Sequence, residues 1–171
     1  MTRRTPWGEY ERAVQVYTEA GAAETVQRIV TAMSRLTRRL DVFYNDRLEA
    51  IEISRTEWPV LQSLAMEGRR GSSHPSKLAD AAGVSASTMT HRLDRMVERG
   101  LVERVPDPDN RTRMLITLTR DGWDLFRTAV LDAEVGETDV FATLTETERK
   151  TLAGLLEKVL AAQELEPRRR H

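Results

Sequence analysis

The sequence predicts a mainly α-helical fold that carries one small β-hairpin. Apolar residues recur every three or four positions along most of the 171-residue chain, which is the spacing of helices with one buried face. Two short runs of apolar and β-branched residues, 101–105 and 114–118, flank a turn-forming Pro-Asp-Pro-Asp-Asn segment. The predicted order is therefore helices, a hairpin and helices again.

Two helices are predicted at the N-terminal end. The first carries a stripe from Trp7 to Tyr17 and ends near Gly21, and the second spans roughly residues 24–50. The second is too long to bury its whole stripe in a domain of this size. We therefore expect a second copy of the chain to cover it.

The next helix is predicted to end at Met66. Ser54 and Glu57 have the spacing of a capping box, in which each side chain satisfies a free backbone N–H at the helix start. Thr56 is the alternative cap. Residues 68–73 are expected to form a loop.

A short helix, a turn and a longer helix follow. Pro75 suits the first position of a helix that ends at Ala82, with His74 as its cap. After the turn, Ser85 can cap the longer helix, and Gly100 supplies a left-handed stop. The hairpin comes directly after this stop.

Two more helices complete the chain. Thr119 can cap a helix that runs to about Ala142, and Thr145 and Glu148 form a second capping box. The expected organisation is three parts: N-terminal dimerisation helices in 1–53, a central module in 54–120, and C-terminal dimerisation helices with a basic, frayed tail in 121–171.

Composition excludes several classes of function. The chain is 40% hydrophobic and 31% charged, and it holds no run near the ~18 apolar residues of a membrane span. No signal-peptide core follows the first residues, so we expect a cytoplasmic location and no membrane partner. The absence of cysteine excludes disulfides, thiolate metal sites and cysteine nucleophiles.

Charge is distributed unevenly although the net charge is only −1. Residues 68–120 carry 10 basic and 6 acidic side chains, whereas residues 121–166 carry 4 and 11. A basic central module next to an acidic segment is the pattern expected of a nucleic-acid-binding module on a helical scaffold.

The helix that begins after Ser85 has the position of a recognition helix, which lies in the major groove of DNA. If Met89, Leu93 and Met96 are buried, Arg92 and its polar neighbours are expected on the outer face. Arg92 is the leading candidate for reading a base, because arginine bonds bidentately to guanine, while Arg95 and Arg99 suit phosphates. The alternative is an ordinary helix pair with a solvated polar face.

The hairpin favours DNA binding over that alternative. Arg111 and Arg113 form a basic tip in the position of a wing, where arginine can enter a narrow minor groove. The joint pattern predicts a winged helix-turn-helix module that binds double-stranded DNA. The expected DNA-binding residues are Ser85, Ser87, Thr88, Thr90, His91, Arg92, Arg95, Arg111 and Arg113.

These segments resemble the MarR family, the multiple antibiotic resistance regulators. The resemblance is strongest in KLADAAGVSASTMTHRLDRMVERGLVER from Lys77, PDPDNR from Pro106 and LITLTRDG from Leu115, and it extends over about residues 24–163. It implies a homodimer with interleaved terminal helices that reads a palindromic operator. It also implies a repressor that releases DNA when a small-molecule effector binds.

The chain departs from the family pattern in two places. The wing of the family carries Asp-x-Arg, but Asn110 and Thr112 stand at those positions. Two alternatives follow: Asp109 and Arg111 form the same pair shifted by one residue, or Arg113 takes over the minor-groove contact. Trp7 on an extra N-terminal helix resembles the urate-responsive branch, which has an acidic residue where this chain has Pro59. Urate is therefore not the predicted effector.

Other kinds of site find little support. The three histidines lack the spacing of metal ligands, and there is neither a phosphate-binding loop nor a nucleophile elbow, so we expect no enzyme activity, metal or cofactor. Two alternatives stay open. One is a helical dimer that binds a ligand or a protein without specific DNA binding, and the other is an architectural DNA binder without sequence preference.

Overall fold

The structure is a computed structural model that describes residues 5–69 and 71–165. It confirms a mainly helical fold with a small antiparallel sheet. In chain order the elements are α1 Pro6–Glu19, α2 Glu24–Ala50, α3 Trp58–Met66, β1 Ser72–Ser73, α4 Pro75–Ala81, α5 Ala86–Glu98, β2 Val102–Pro106, β3 Met114–Leu118, α6 Arg120–Val140 and α7 Glu146–Leu165. The predicted basic tail, residues 167–171, lies outside the described residues.

The chain divides into two compact units, residues 1–133 and residues 134–171. The first unit contains the elements from α1 to β3 and the beginning of α6. The second contains the end of α6 and α7. No helix in the described parts of the chain is long and apolar enough to cross a membrane.

The predicted hairpin is joined by a third strand, so that the sheet order is β1-β3-β2. Strands β2 and β3 pair from Val102 opposite Leu118 to Pro106 opposite Met114. Strand β1 pairs Ser72 with Thr117, in the segment where the sequence predicted a loop. That prediction was wrong because a two-residue strand made of serines has neither alternation nor β-branched residues to reveal it.

The core of the first unit lies between α3, α4, α5 and the sheet. Its fully buried side chains come from every one of these elements except β1: Leu61, Leu64, Leu78, Met89, Leu93, Met96, Ile116, Val60 and Val102. The ring of Trp58 stacks on Phe126 at 5.3 Å between centroids, and Trp123 meets Phe126 edge-on at 5.9 Å. These aromatic contacts pack the start of α6 against the core.

Local hydrogen bonds explain where the helices start. The Glu57 carboxylate accepts from the Ser54 backbone at 3.0 Å and Glu57 N–H donates to the Ser54 hydroxyl at 3.2 Å, so the predicted capping box forms just before α3. Thr145 and Glu148 make the same reciprocal pair at α7. His74 occupies the N-cap of α4 as predicted, but its side chain makes no capping hydrogen bond.

Two glycines set the turns around α5. Gly83 between α4 and α5 has φ +62°, and Gly100 after α5 has φ +68°. An L side chain is rarely found in this left-handed region, which glycine enters without steric cost. The predicted turn and the predicted stop are both confirmed.

A long apolar stripe on α2 stays exposed in the isolated chain. Val26, Ile29, Val30 and Met33 each expose about half of their surface, from 49% to 54%. In the second unit, α7 likewise exposes Leu155, Val159 and Leu160. These stripes lie where the sequence predicted dimerisation helices.

Candidate nucleic-acid interface

Helices α4 and α5 are joined by a tight turn at Gly83, and β2 and β3 form the hairpin that follows α5. This is the arrangement of a winged helix-turn-helix module, with α5 as the recognition helix and the hairpin as the wing. Eight of the nine predicted DNA-binding residues are exposed: Ser85, Ser87, Thr88, Thr90, His91, Arg95, Arg111 and Arg113.

Hydroxyl groups cluster at the N-terminal end of α5. The Ser85 hydroxyl accepts from Thr88 N–H at 3.2 Å and lies 3.0 Å from the Ser87 hydroxyl and 2.8 Å from that of Thr88. Thr90 donates its hydroxyl to the Ala86 carbonyl at 2.9 Å. A helix N-terminus of this kind combines free backbone N–H groups with a positive dipole end, which favours an anion such as phosphate.

Arg92 is the exception, and its predicted outer-face position was wrong. It is only 6% exposed and belongs to the buried face of α5 together with Met89, Leu93 and Met96. The reason is periodicity: Arg92 follows Met89 by three residues and precedes Met96 by four, so it lies on the same stripe. Its long side chain therefore does not present itself to a major groove in this structure.

Apart from Arg92, the arginines of α5, its C-cap and the hairpin fall into two groups. Arg104 on β2 pairs with Asp94 on α5 at 2.6 Å, and Arg99 pairs with Glu57 at 3.2 Å. By contrast, Arg95, Arg111 and Arg113 are exposed and have no ion pair with any described residue. The second group is available to an external anion.

The wing tip is held by its own polar groups. The Asn110 side chain accepts from the Thr112 N–H at 3.1 Å and from the Thr112 hydroxyl at 2.6 Å. Arg113 N–H donates to the Asn110 carbonyl at 2.8 Å, and the Arg113 carbonyl accepts from Asp107 N–H at 3.0 Å. Arg111 thus lies between the two members of the Asn110–Thr112 pair, and Arg113 follows directly after it, on a closed turn.

A second contact connects the base of the wing to α4. Asp107 is buried and its carboxylate lies 3.7 Å from His74 Nε2, at the N-cap of α4. The other oxygen of the same carboxylate accepts from Asp109 N–H at 2.9 Å. Asp107 therefore orders the wing turn from within and leaves the tip arginines to solvent.

Sequence reasoning missed the role of Arg99, which was expected to suit a phosphate. Its guanidinium instead contacts Glu57, 42 positions earlier, and the Glu52 carbonyl at 2.7 Å. No periodic or local pattern connects residues this far apart. The one signal in the sequence is Glu57 itself, a charged residue beside the apolar run that forms α3.

The Glu57 carboxyl is set up to be charged despite its burial. Burial raises its pKa, but hydrogen bonds from the backbone and hydroxyl of Ser54, together with the charge and hydrogen bonds of Arg99, outweigh burial and lower the pKa below its ordinary value. Among the residues that the structure describes, no three His, Cys, Asp or Glu side chains converge on a metal-sized site.

Comparison with known proteins places this arrangement in a family. The model of the MarR family matches residues 53–114, which run from just before α3 to the start of β3. The transcriptional regulator PecS of Dickeya dadantii is 28% identical over 131 residues, covering 77% of this chain and 79% of PecS. The multiple antibiotic resistance protein MarR of Salmonella typhimurium is 30% identical over 87 residues, covering 51% of this chain and 58% of that protein.

Solved structures agree with the sequence relatives. RV1404 of Mycobacterium tuberculosis superposes with a TM-score of 0.68 at 25% identity, covering 87% of this chain and all of that one. Wild-type MarR of E. coli superposes with a TM-score of 0.62 at 27% identity, covering 75% and 94%. The relatives are named as regulators, so the expectation that this chain is not an enzyme is confirmed. Residues 53–114 are therefore a MarR-family domain, and the chain is a winged helix-turn-helix, DNA-binding transcription regulator.

Proposed function

We propose that this regulator acts as a homodimeric repressor that binds palindromic double-stranded DNA through α5 and the wing. The observation that carries the proposal is the division of the arginines. Arg99 and Arg104 are neutralised by carboxylates within the chain, whereas Arg95, Arg111 and Arg113 project without an acidic partner among the described residues. Phosphates of DNA supply the missing negative charge.

On α5, His91 and Thr88 replace Arg92 as the leading candidates for base contact, because they are exposed. Ser87 and the capping residue Ser85 lie where a phosphate would meet the N-terminal end of the helix. Arg95, one turn further on from His91, is assigned to a phosphate. Thr90 supplies a further hydroxyl on the same surface.

On the wing, Arg111 and Arg113 are assigned to the minor groove and its flanking phosphates. The turn that carries them is closed by the Asn110–Thr112 pair, which fixes the backbone and leaves both side chains free. Contacts of this kind favour A·T-rich flanks, where the minor groove is narrow and strongly negative.

The exposed stripes of α2 and α7 support the homodimer. An apolar stripe that the chain cannot cover is normally buried against another element. We assign residues 1–53 and 121–171 to dimerisation and residues 54–120 to DNA binding. A twofold axis between two such modules makes the preferred site palindromic, with the two recognition helices about one turn of DNA, ~34 Å, apart.

The dimer geometry also allows DNA binding to be regulated by a small molecule in the cytoplasm. A small-molecule effector that binds the two dimer geometries with different affinity would shift the spacing of the recognition helices and release the DNA. Repression follows where the palindrome overlaps a promoter. The operator sequence selected in the next experiment would provide a motif for finding the regulated gene, and that gene would in turn suggest effectors to test.

Selection of bound duplexes from a random pool tests the proposal. We expect a palindromic winner bound at least ~10³-fold better than its scrambled version at physiological salt. No enrichment, with weak and salt-insensitive binding, would contradict it and favour a dimer that binds a ligand or a protein. Equal binding of palindromic and scrambled DNA would indicate an architectural protein.

Single variants then test the assigned residues. We expect Arg95→Ala to reduce the magnitude of the slope of log affinity against log salt by about 2, because the variant removes one phosphate contact from each protomer of the dimer. Arg127→Ala is the matched control, since Arg127 lies on α6 and bonds to Asp124 at 3.2 Å.

Arg111→Ala and Arg113→Ala should weaken the preference for A·T-rich flanks. An unchanged preference in both variants would remove the wing from the site.

A further inference from the structure

Three separate segments of the chain meet at Arg99, the C-cap residue of α5. Its Nη1 lies 3.3 Å and 3.2 Å from the two carboxylate oxygens of Glu57, at the entrance to α3. Its Nη2 donates to the backbone carbonyl of Glu52, just beyond α2, at 2.7 Å. One side chain thus joins the end of the recognition helix to the junction between α2 and α3.

The acceptor on α3 is held rigidly. Glu57 is only 4% exposed, and its Oε2 also accepts from Ser54 N–H at 3.0 Å and from the Ser54 hydroxyl at 2.8 Å. A buried carboxylate with these partners has one preferred position. Arg99 supplies the positive charge that such a group requires.

The acceptor on α2 is equally well defined. Ile53 N–H donates to the Leu48 carbonyl at 2.8 Å and Glu52 N–H to the Glu49 carbonyl at 3.0 Å, which is a Schellman ending of α2. Glu52 holds the left-handed position of that ending at φ +58°, where glycine is usual. The bond from Arg99 helps to hold this unfavourable conformation and so fixes the direction in which the Glu52 carbonyl points.

We propose that Arg99 is a positioning residue that ties the C-terminal end of α5 to the end of α2. This inference rests on the proposed function, in which α2 belongs to the dimer scaffold and α5 reads DNA. A tilt of α2 in the dimer then moves the end of the recognition helix directly. Arg99 transmits the geometry of the dimer and does not contact phosphate.

The experiment compares full-length homodimers of wild type, Arg99→Ala, Arg99→Lys and Arg95→Ala on the selected palindrome. We expect Arg99→Ala to lower palindrome affinity by about 2- to 30-fold, the range of mutations that change coupling without touching a ligand. Its salt slope stays that of wild type, whereas the slope of Arg95→Ala is smaller in magnitude by about 2, from one lost phosphate contact in each protomer. A slope reduced by about 2 in Arg99→Ala would overturn the proposal, because it would identify a phosphate contact of Arg99 in each protomer.

Arg99→Lys tests whether Arg99 acts by bridging Glu57 and the Glu52 carbonyl or only by neutralising the charge of Glu57. One ammonium group can neutralise Glu57, but it lacks the fork that spans Glu57 and the Glu52 carbonyl together. We expect Arg99→Lys to lose affinity as Arg99→Ala does; wild-type affinity in Arg99→Lys would overturn the tether. Glu52→Gly is the control variant, since it keeps the carbonyl and should bind the palindrome like wild type.

Hydrogen exchange measures the tether without DNA. The amides of Arg99, Gly100 and Leu101 bond to the carbonyls of Arg95, Val97 and Met96 at the end of α5. We expect these amides to exchange faster in Arg99→Ala and Arg99→Lys than in wild type or Glu52→Gly. Unchanged exchange in the Arg99 variants would overturn the tether, even if the protein binds its palindrome. A wild-type protein that shows no preference for a palindrome would overturn the proposed function and leave the tether to be judged by hydrogen exchange.

Discussion

The central module and helix α2 differ in how their apolar stripes are covered. Both carry apolar stripes at helical spacing, but the module closes its stripes within the chain, where Leu93, Met89 and Leu64 are fully buried. Helix α2 leaves its stripe about half exposed. The module therefore covers its own apolar surface within one chain, whereas the α2 stripe is left for the second copy of the chain proposed above.

The largest expected effect tests the closed core. Leu93→Ala removes buried methyl groups from α5 and leaves a cavity, which should lower the free energy of unfolding by about 2–5 kcal/mol. Urea denaturation measures this change. Met66→Ala is the control, because that side chain is 79% exposed and its loss should change stability by no more than about 0.5 kcal/mol. Equal losses in the two variants would contradict the core described here.

The next effect concerns the open stripe. Ile29→Glu places a charge in the proposed interface and should weaken the dimer by about 2 kcal/mol, a ~30-fold rise in its dissociation constant by sedimentation equilibrium. Val42→Glu provides a matched control, since Val42 lies on α2 about 140° around the helix from Ile29. A larger effect at Val42 would place the interface on the opposite face.

Glu57, the ion-pair partner of Arg99, makes stability depend on pH. Its pKa is lowered in the folded chain from an ordinary value of 4.5, so its charged form contributes stability above that pH and loses it as the pH falls through the folded pKa. Glu57→Gln should cost about 1–3 kcal/mol at pH 7, because charged hydrogen bonds are lost.

Acid titration of unfolding provides the measurement. The difference in unfolding free energy between wild type and Glu57→Gln should shrink as the pH falls below about 4.5. Arg99→Gln removes the charge partner and should shift the wild-type acid transition to higher pH. A difference between wild type and Glu57→Gln that does not vary with pH would show that the Glu57 charge has no part in stability.

The smallest effect is confined to the module. Ser85→Ala removes the hydroxyl that caps α5 and should cost about 1 kcal/mol of stability, with no change in the dissociation constant of the dimer. Ser87→Ala is the comparison, because its hydroxyl contacts the Ser85 hydroxyl and caps no backbone N–H. A weaker dimer in Ser85→Ala would show that the two regions are not independent.

Much of the fold could be predicted because its signals are local. The capping pairs at Ser54 and Thr145, the stop at Gly100 and the two hairpin strands each depend on residues within a few positions of one another. The buried position of Arg92 was also present in the periodicity, since it shares the stripe of Met89 and Met96. Its charge, more typical of surfaces, led to the wrong face.

The helices, the hairpin, their order and the resemblance to the family could all be read from the sequence, because helix periodicity, caps and turn residues act over short distances along the chain. Which arginines pair with a carboxylate, and which have no such partner among the described residues, depends on the tertiary fold. Arg99 finds Glu57 across 42 positions, Arg104 finds Asp94 across 10, and Arg95, Arg111 and Arg113 find no acidic partner among the described residues. Ion pairs depend on distance in space, and packing alone brings residues so far apart in the chain within 4 Å of each other.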